Sequence, residues 1–154
     1  MAKTRPSRLE YSDIPDLILS QIRARAMAMP EAAEVQAWNG RRWVVRRRNF
    51  AHVATLGNEE GEATYLIFRS SGDELTVLWA TGHPFFRPGW GTNVVGMTLS
   101  EDTDWEEVGE LLYDSYCIQA PKMLVALAVG TTPPVGSRYG KAAKAHRSHS
   151  WPPG

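Results

Sequence analysis

Residues 81–127 read TGHPFFRPGWGTNVVGMTLSEDTDWEEVGELLYDSYCIQAPKMLVAL. A loop dense in aromatics and glycine, a short apolar strand and an amphipathic helix follow one another there, and that succession decides the fold class. Pro84, Pro88, Gly89 and Gly91 forbid regular structure in the loop, so Phe85, Phe86 and Trp90 must be placed by tertiary packing or by a partner. Val94, Val95, Met97 and Leu99 read as a strand. Thr103-Asp104-Trp105-Glu106 fits a capping box, in which the Thr103 hydroxyl and the Glu106 carboxylate each satisfy an orphan backbone donor, so a helix begins there. Trp105, Val108, Leu111, Leu112, Ser115 and Tyr116 form its stripe at helical spacing. Pro121 opens a final short helix over 122–129.

Upstream, Ser12 or Asp13 can cap a first helix with Pro15 in its first turn. Ile14, Leu17, Ile18, Ile22 and Ala26 recur on one side of it, and Pro30 ends it. From Ala37 the period falls to two. In RRWVVRRR, residues 41–48, alternation puts Trp43 and Val45 on a buried side and Arg42, Val44, Arg46 and Arg48 on a cationic one. Asn49 can take the left-handed conformation of a tight turn, which returns 50–56 as the partner strand of a hairpin. Residues 57–61 read as a solvated loop and 64–69 as a third strand, rich in branched and aromatic residues. Ser70-Ser71-Gly72-Asp73-Glu74 looks like a helix start, with acids near the positive end of the dipole and Leu75, Leu78 and Trp79 turned inward. A strand over 75–79 is the alternative; Gly82 ends the helix.

A chain of 154 residues suits one domain over 12–129. Residues 1–11 form a basic lead, and 130–154 form a basic tail too poor in apolar residues to bury anything; both are expected to be disordered. The net charge of zero hides a segregation: residues 1–57 carry ten Lys/Arg against five Asp/Glu, 58–116 two against twelve, and 117–154 five against none. That excludes a generally basic nucleic-acid binder, so any phosphate-binding face must be local, built from the 41–48 run with or without the tail, and with the acidic helix turned away from it. Cys117 is the one cysteine; its apolar neighbours predict a buried thiol in a reducing compartment. The start lacks the apolar run of a signal peptide and no stretch has the length of a membrane span, so a cytoplasmic location is expected.

Several blocks resemble the MmcQ/YjbR family: Met29-Pro30-Glu31-Ala32, VRRRNFAHV at 45–53, Leu66-Ile67-Phe68-Arg69, the loop at 82–86, and LYDSYCIQAPKML at 112–124. Together they span about residues 14 to 128. The resemblance implies an α+β fold, a single antiparallel β-sheet packed against helices on one face, in the YjbR/CyaY-like, frataxin-like two-layer architecture. It also implies a DNA-binding surface of the double-wing kind and carries over no catalytic residue. Two departures stand out. Arg48-Asn49 occupies the hairpin position where the family often has Gly-Lys, and Arg69 replaces a strand lysine, keeping the charge and adding a planar donor fork.

The cationic strand face is the first functional candidate, with phosphates meeting Arg42, Arg46, Arg48 and Arg69 and an exposed base stacking on Trp90 or Phe86. A groove for a small molecule or a protein segment, lined by His83, Phe85, Phe86, Trp90 and Tyr116, is the second. Enzyme chemistry is not expected. His52 falls on a strand, His83 has no base or nucleophile at recognisable spacing, and Glu106, Glu107 and Glu110 lie on a helix surface. His146 and His149 lack a third ligand, so neither a metal nor another cofactor is expected. DNA is the expected partner, of a monomer without membrane attachment.

Overall fold

The computed structural model describes residues 10–130. Its elements in chain order are β1 (Glu10–Ser12), α1 (Asp16–Ala26), β2 (Ala33–Ala37), β3 (Gly40–Val45), β4 (Arg48–Asn58), β5 (Gly61–Arg69), α2 (Gly72–Thr81), β6 (Phe85–Phe86), β7 (Val94–Leu99), α3 (Trp105–Gln119) and α4 (Lys122–Gly130). The strands form one antiparallel sheet in the order β2-β3-β4-β5-β7-β6, and β1 pairs with β4 next to the end of β3. The fold is α+β, with a sheet packed against helices.

Alternation along the strands separates the two faces. Trp43 and Val45 of β3, Val53 of β4, Leu66 and Phe68 of β5, and Val95, Met97 and Leu99 of β7 point to one side and are buried. Ile18, Ile22 and Ala26 of α1, Leu78 of α2, Val108, Leu112 and Tyr116 of α3, and Leu124 of α4 close over them as a single cluster. This is the two-layer solution for a sheet that buries one face.

A β-bulge anchors the helical layer. Trp43 pairs with Ala51 but Val44 pairs with Asn49, so Phe50 is an extra residue in β4, and a bulge takes backbone groups out of the ladder. Helix α3 uses them: Ser115 Oγ donates to the Phe50 carbonyl at 2.7 Å, and Gln119 Nε2 donates to the Asn49 carbonyl at 2.8 Å. Ser115 Oγ also accepts from the Arg69 amide at 2.9 Å, which binds β5 to the same turn of helix.

Several boundaries differ from the sequence expectation. The β3–β4 turn is Arg46-Arg47, both left-handed at φ 50° and 71°, and not Asn49, which lies inside β4. Two positive φ values are what a two-residue hairpin requires, because that twist matches the strands. Residues 33–36, unassigned from sequence, form edge strand β2 together with Ala37. Residues 57, 58 and 61, read as loop, extend the β4–β5 hairpin. Tyr11, assigned to the lead, pairs with Leu56 in β1. The segment from 72 to 81 is a helix, resolving the alternative at 75–79. Phe85-Phe86, expected in irregular loop, form β6 against β7.

Two cap assignments also change. The α3 cap is Asp104, whose carboxylate accepts from the Glu106 and Glu107 amides, while Thr103 Oγ1 accepts from the Ser100 amide. Pro15 is itself the N-cap position of α1, and Leu17, placed in that helix's stripe, is half exposed. The tail beyond residue 130, with His146 and His149, lies outside the described residues.

Candidate functional site

The sheet's second face is an open trough. Register sets its rows: Arg42, His52, Ile67, Gly96 and Phe86 stand abreast across β3, β4, β5, β7 and β6. Ala54, Tyr65 and Thr98 form the next row, and Tyr11 and Leu56 the one beyond. Leu56, Tyr65, Ile67 and Phe86 make the floor of a groove of about 820 Å³, with Tyr11, Pro88 and Trp90 rising around it and Asn39 and His52 supplying its polar edge. No carboxylate lines it.

Phe86 lies flat against the sheet because Gly96 leaves room. A Cβ at Gly96 would stand 2.3 Å from the Phe86 ring. Phe86 also meets Tyr65 edge to face, with centroids 5.5 Å apart, a favoured aromatic arrangement. Trp90 is 57% exposed beside them. His52 Nε2 donates to the Asn39 carbonyl at 3.0 Å, which fixes both the ring and the β2–β3 turn.

Of the five residues expected to meet nucleic acid, three share this face. Arg42 of β3 and Arg69 of β5 point outward with Trp90 near the rim. Arg42 Nη1 lies 3.4 Å from Asn49 Oδ1 and Arg69 Nη1 donates to Asn93 Oδ1 at 2.9 Å, so amides hold both guanidinium groups and, among the described residues, neither is neutralised by an ion pair. One strand separates β3 from β5 and Arg69 lies two residues beyond Ile67, the β5 residue in Arg42's row, which puts the two positions roughly 12 Å apart.

The other two do not join them. Arg46 is in the turn and forms a two-pronged ion pair with Glu31, at 2.6 and 3.1 Å. Arg48 pairs with Val45, and alternation sets it on the face opposite Arg42. The expected single cationic plane is therefore divided, because the turn falls within the arginine run rather than after it. Arg47, which alternation alone assigns to the buried side, is exposed at the tip of the turn.

The expected aromatic pocket is divided as well. Phe86 and Trp90 line the trough, but Phe85 is buried in the core, as is Tyr116, whose hydroxyl donates to the Pro30 carbonyl. The period of two through β6 sends consecutive phenylalanines to opposite faces. His83 is exposed in the α2–β6 loop and does not line the trough. Tyr11 and Tyr65 complete the site in their place. Tyr65 was recoverable from sequence, since it alternates with the core residues Leu66 and Phe68; Tyr11 carried no such signal.

Charge between α1 and the β2–β3 edge is internally compensated. Glu34 of β2 accepts from Arg23 of α1 at 2.7 and 2.8 Å and also from Arg41 of β3. The Arg23 guanidinium, aided by Arg41, holds the Glu34 carboxyl down at about 2 against the desolvation that opposes it. Burial pushes the Cys117 thiol up to about 12, so it is not a thiolate at neutral pH. No group of three or more His, Cys, Asp or Glu among the described residues is placed to hold a metal ion. None of their helices is long and apolar enough to cross a membrane.

No known family matches the sequence in a comparison with family models, and none of the curated proteins matches it.

Proposed function

We propose that the protein is a non-enzymatic nucleic-acid-binding module that holds single-stranded DNA or RNA on the uncovered sheet face. The observation that carries this reading is the trough itself: aromatic side chains free of carboxylates, with Arg42 and Arg69 on the same face held by amides rather than acids. Unpaired bases stack on Trp90, Phe86 and Tyr65, and the arginines meet phosphates. Arg47, exposed at the tip of the β3–β4 turn, extends the cationic contact along the backbone. A duplex offers its phosphates but keeps its bases stacked, so the single strand is preferred.

The test is a fluorescence anisotropy titration of labelled single-stranded and duplex oligonucleotides at 50 and 200 mM salt. Single strands should saturate at low salt and bind more weakly at high salt, because binding releases counterions. Absence of saturable binding to either form at 50 mM would remove the proposal.

A second reading uses the same trough for a small, largely apolar ligand. Its volume of about 820 Å³ is in the range of small-molecule sites, and Leu56, Ile67 and Pro88 contribute apolar lining that bases do not require. Melting-temperature shifts across a metabolite panel separate the two readings, since a bound ligand stabilises by mass action.

A further inference from the structure

A second groove, of about 450 Å³, lies on the far side of Tyr11 where β1 leads into α1 beside the β2–β3 hairpin. Tyr11 and Trp38 stand at right angles in it, with ring centroids 6.4 Å apart and planes at 88°. Asp13 and Asp16 line the same groove and are exposed, and Ile14 and Leu19 give it an apolar base.

Trp38 is the most exposed large hydrophobic residue among those described, at 86%, and its position is not incidental to a loose loop. It belongs to a two-residue turn closed by the Ala37–Gly40 pair. Gly40 has φ 119°, and a Cβ there would stand 2.0 Å from the Val53 carbonyl oxygen. The neighbouring Asn39 carbonyl is pinned by His52. The backbone thus holds an indole in solvent, where it gains little from burial within its own chain. Arg41 also borders the groove, with its guanidinium engaged by Glu34.

We propose that this aromatic corner binds a quaternary ammonium cation. Ring faces attract a weakly hydrated cation through their quadrupoles, with tryptophan the strongest. Asp13 and Asp16 add charge complementarity, and the apolar base accommodates methyl groups. The site shares Tyr11 with the trough but opens on the other side of it, and it does not depend on nucleic-acid binding.

The test is titration of the full chain with choline and with an Nε-trimethyllysine peptide, followed by indole fluorescence and calorimetry. The uncharged tert-butyl analogue of choline serves as the control. At least one cation should bind saturably, about tenfold more tightly than the uncharged analogue. Trp38→Ala should lose that binding with an unchanged circular dichroism spectrum, Asp13→Asn with Asp16→Asn should weaken it, and Trp90→Ala should leave it intact. Binding of choline alone, or of the peptide alone, identifies the source of the cation. No saturable binding of either cation, equal binding of the uncharged analogue, or binding that survives Trp38→Ala would overturn the proposal.

Discussion

Glu31 and Arg46 both hold left-handed backbone, at φ 58° and 50°, and their side chains clasp each other through two hydrogen bonds. The ion pair joins the segment after α1 to the β3–β4 turn, so two locally unfavourable conformations are linked to each other. It also removes Arg46 from the free cations, leaving Arg47 and Arg48 to present charge at the tip. The Arg46 guanidinium holds the Glu31 carboxyl below its ordinary value, though the exposure of both partners keeps this a positional rather than a stabilising device.

Arg47 carries the unfavourable conformation without an ion-pair partner among the described residues. Left-handed backbone costs an L-residue roughly 1–2 kcal/mol, and glycine escapes that penalty. Arg47→Gly should therefore raise the unfolding free energy by up to about 1 kcal/mol, part of the gain being offset by glycine's greater freedom in the unfolded chain. Urea denaturation checks it. The same variant should bind oligonucleotides more weakly, separating turn stability from charge.

Glu34 sets the acid response. Its folded-state value of about 2 lies below the ordinary 4.5, so its contribution is fully present above pH 4.5 and is lost as pH falls from there towards 2. The loss should be on the order of 1 kcal/mol once solvent screening of the half-exposed Arg23 is counted. Glu34→Gln should flatten the stability profile across that window, as read by thermal melts at successive pH values. An unchanged slope would mean the triad contributes nothing.

Cys117 should resist alkylation at pH 8 while the protein is folded, because its thiol is buried and pushed up to about 12. Modification should become fast in urea. Mass spectrometry after timed iodoacetamide treatment reads both states.

Gly96 shapes the trough. With a Cβ 2.3 Å from the Phe86 ring, Gly96→Ala must displace that ring, and overpacking of this kind costs typically 1–3 kcal/mol. The variant should fold with a lower melting temperature and bind oligonucleotide less tightly. Phe86→Ala added to it should recover part of the lost stability, which would assign the loss to this contact.

Periodicity made the core legible where burial acts on one face: Trp43, Val45, Leu66, Phe68, Val95, Met97 and Leu99 all fall where alternation puts them, whereas Val94 is buried on the other face. α3 was legible for the same reason, and Val108, Leu112 and Tyr116 are buried as its stripe requires. The cationic site was less so. Alternation assumes that a strand continues, and RRR at 46–48 contains the turn, which shifts Arg48 to the other face and exposes Arg47. Arginine is a poor sequence marker of a left-handed turn, whereas the neighbouring Asn49 is a good one, so local propensity pointed to the wrong residue. The trough could not be assembled from sequence, since Tyr11, Tyr65 and Trp90 meet only through the pairing of β1, β5 and β7 with distant strands.

Charge and stacking leave different signatures on binding, and the trough supplies both. For single strands each phosphate neutralised contributes about 0.7 to the salt slope of log K. Arg42→Ala and Arg69→Ala should therefore each lower that slope by roughly 0.7 if each guanidinium meets one phosphate. Trp90→Ala should instead leave the slope unchanged while reducing affinity roughly 5- to 150-fold, corresponding to about 1–3 kcal/mol for one stacked base. Trp90 is largely exposed and the two arginines are held only by amide side chains, so all three variants should retain the wild-type melting temperature within a few degrees. Equal slopes for all four proteins would place the phosphates away from Arg42 and Arg69. Unchanged affinity in Trp90→Ala would mean that bases do not stack at this rim, leaving the trough to the small-molecule reading.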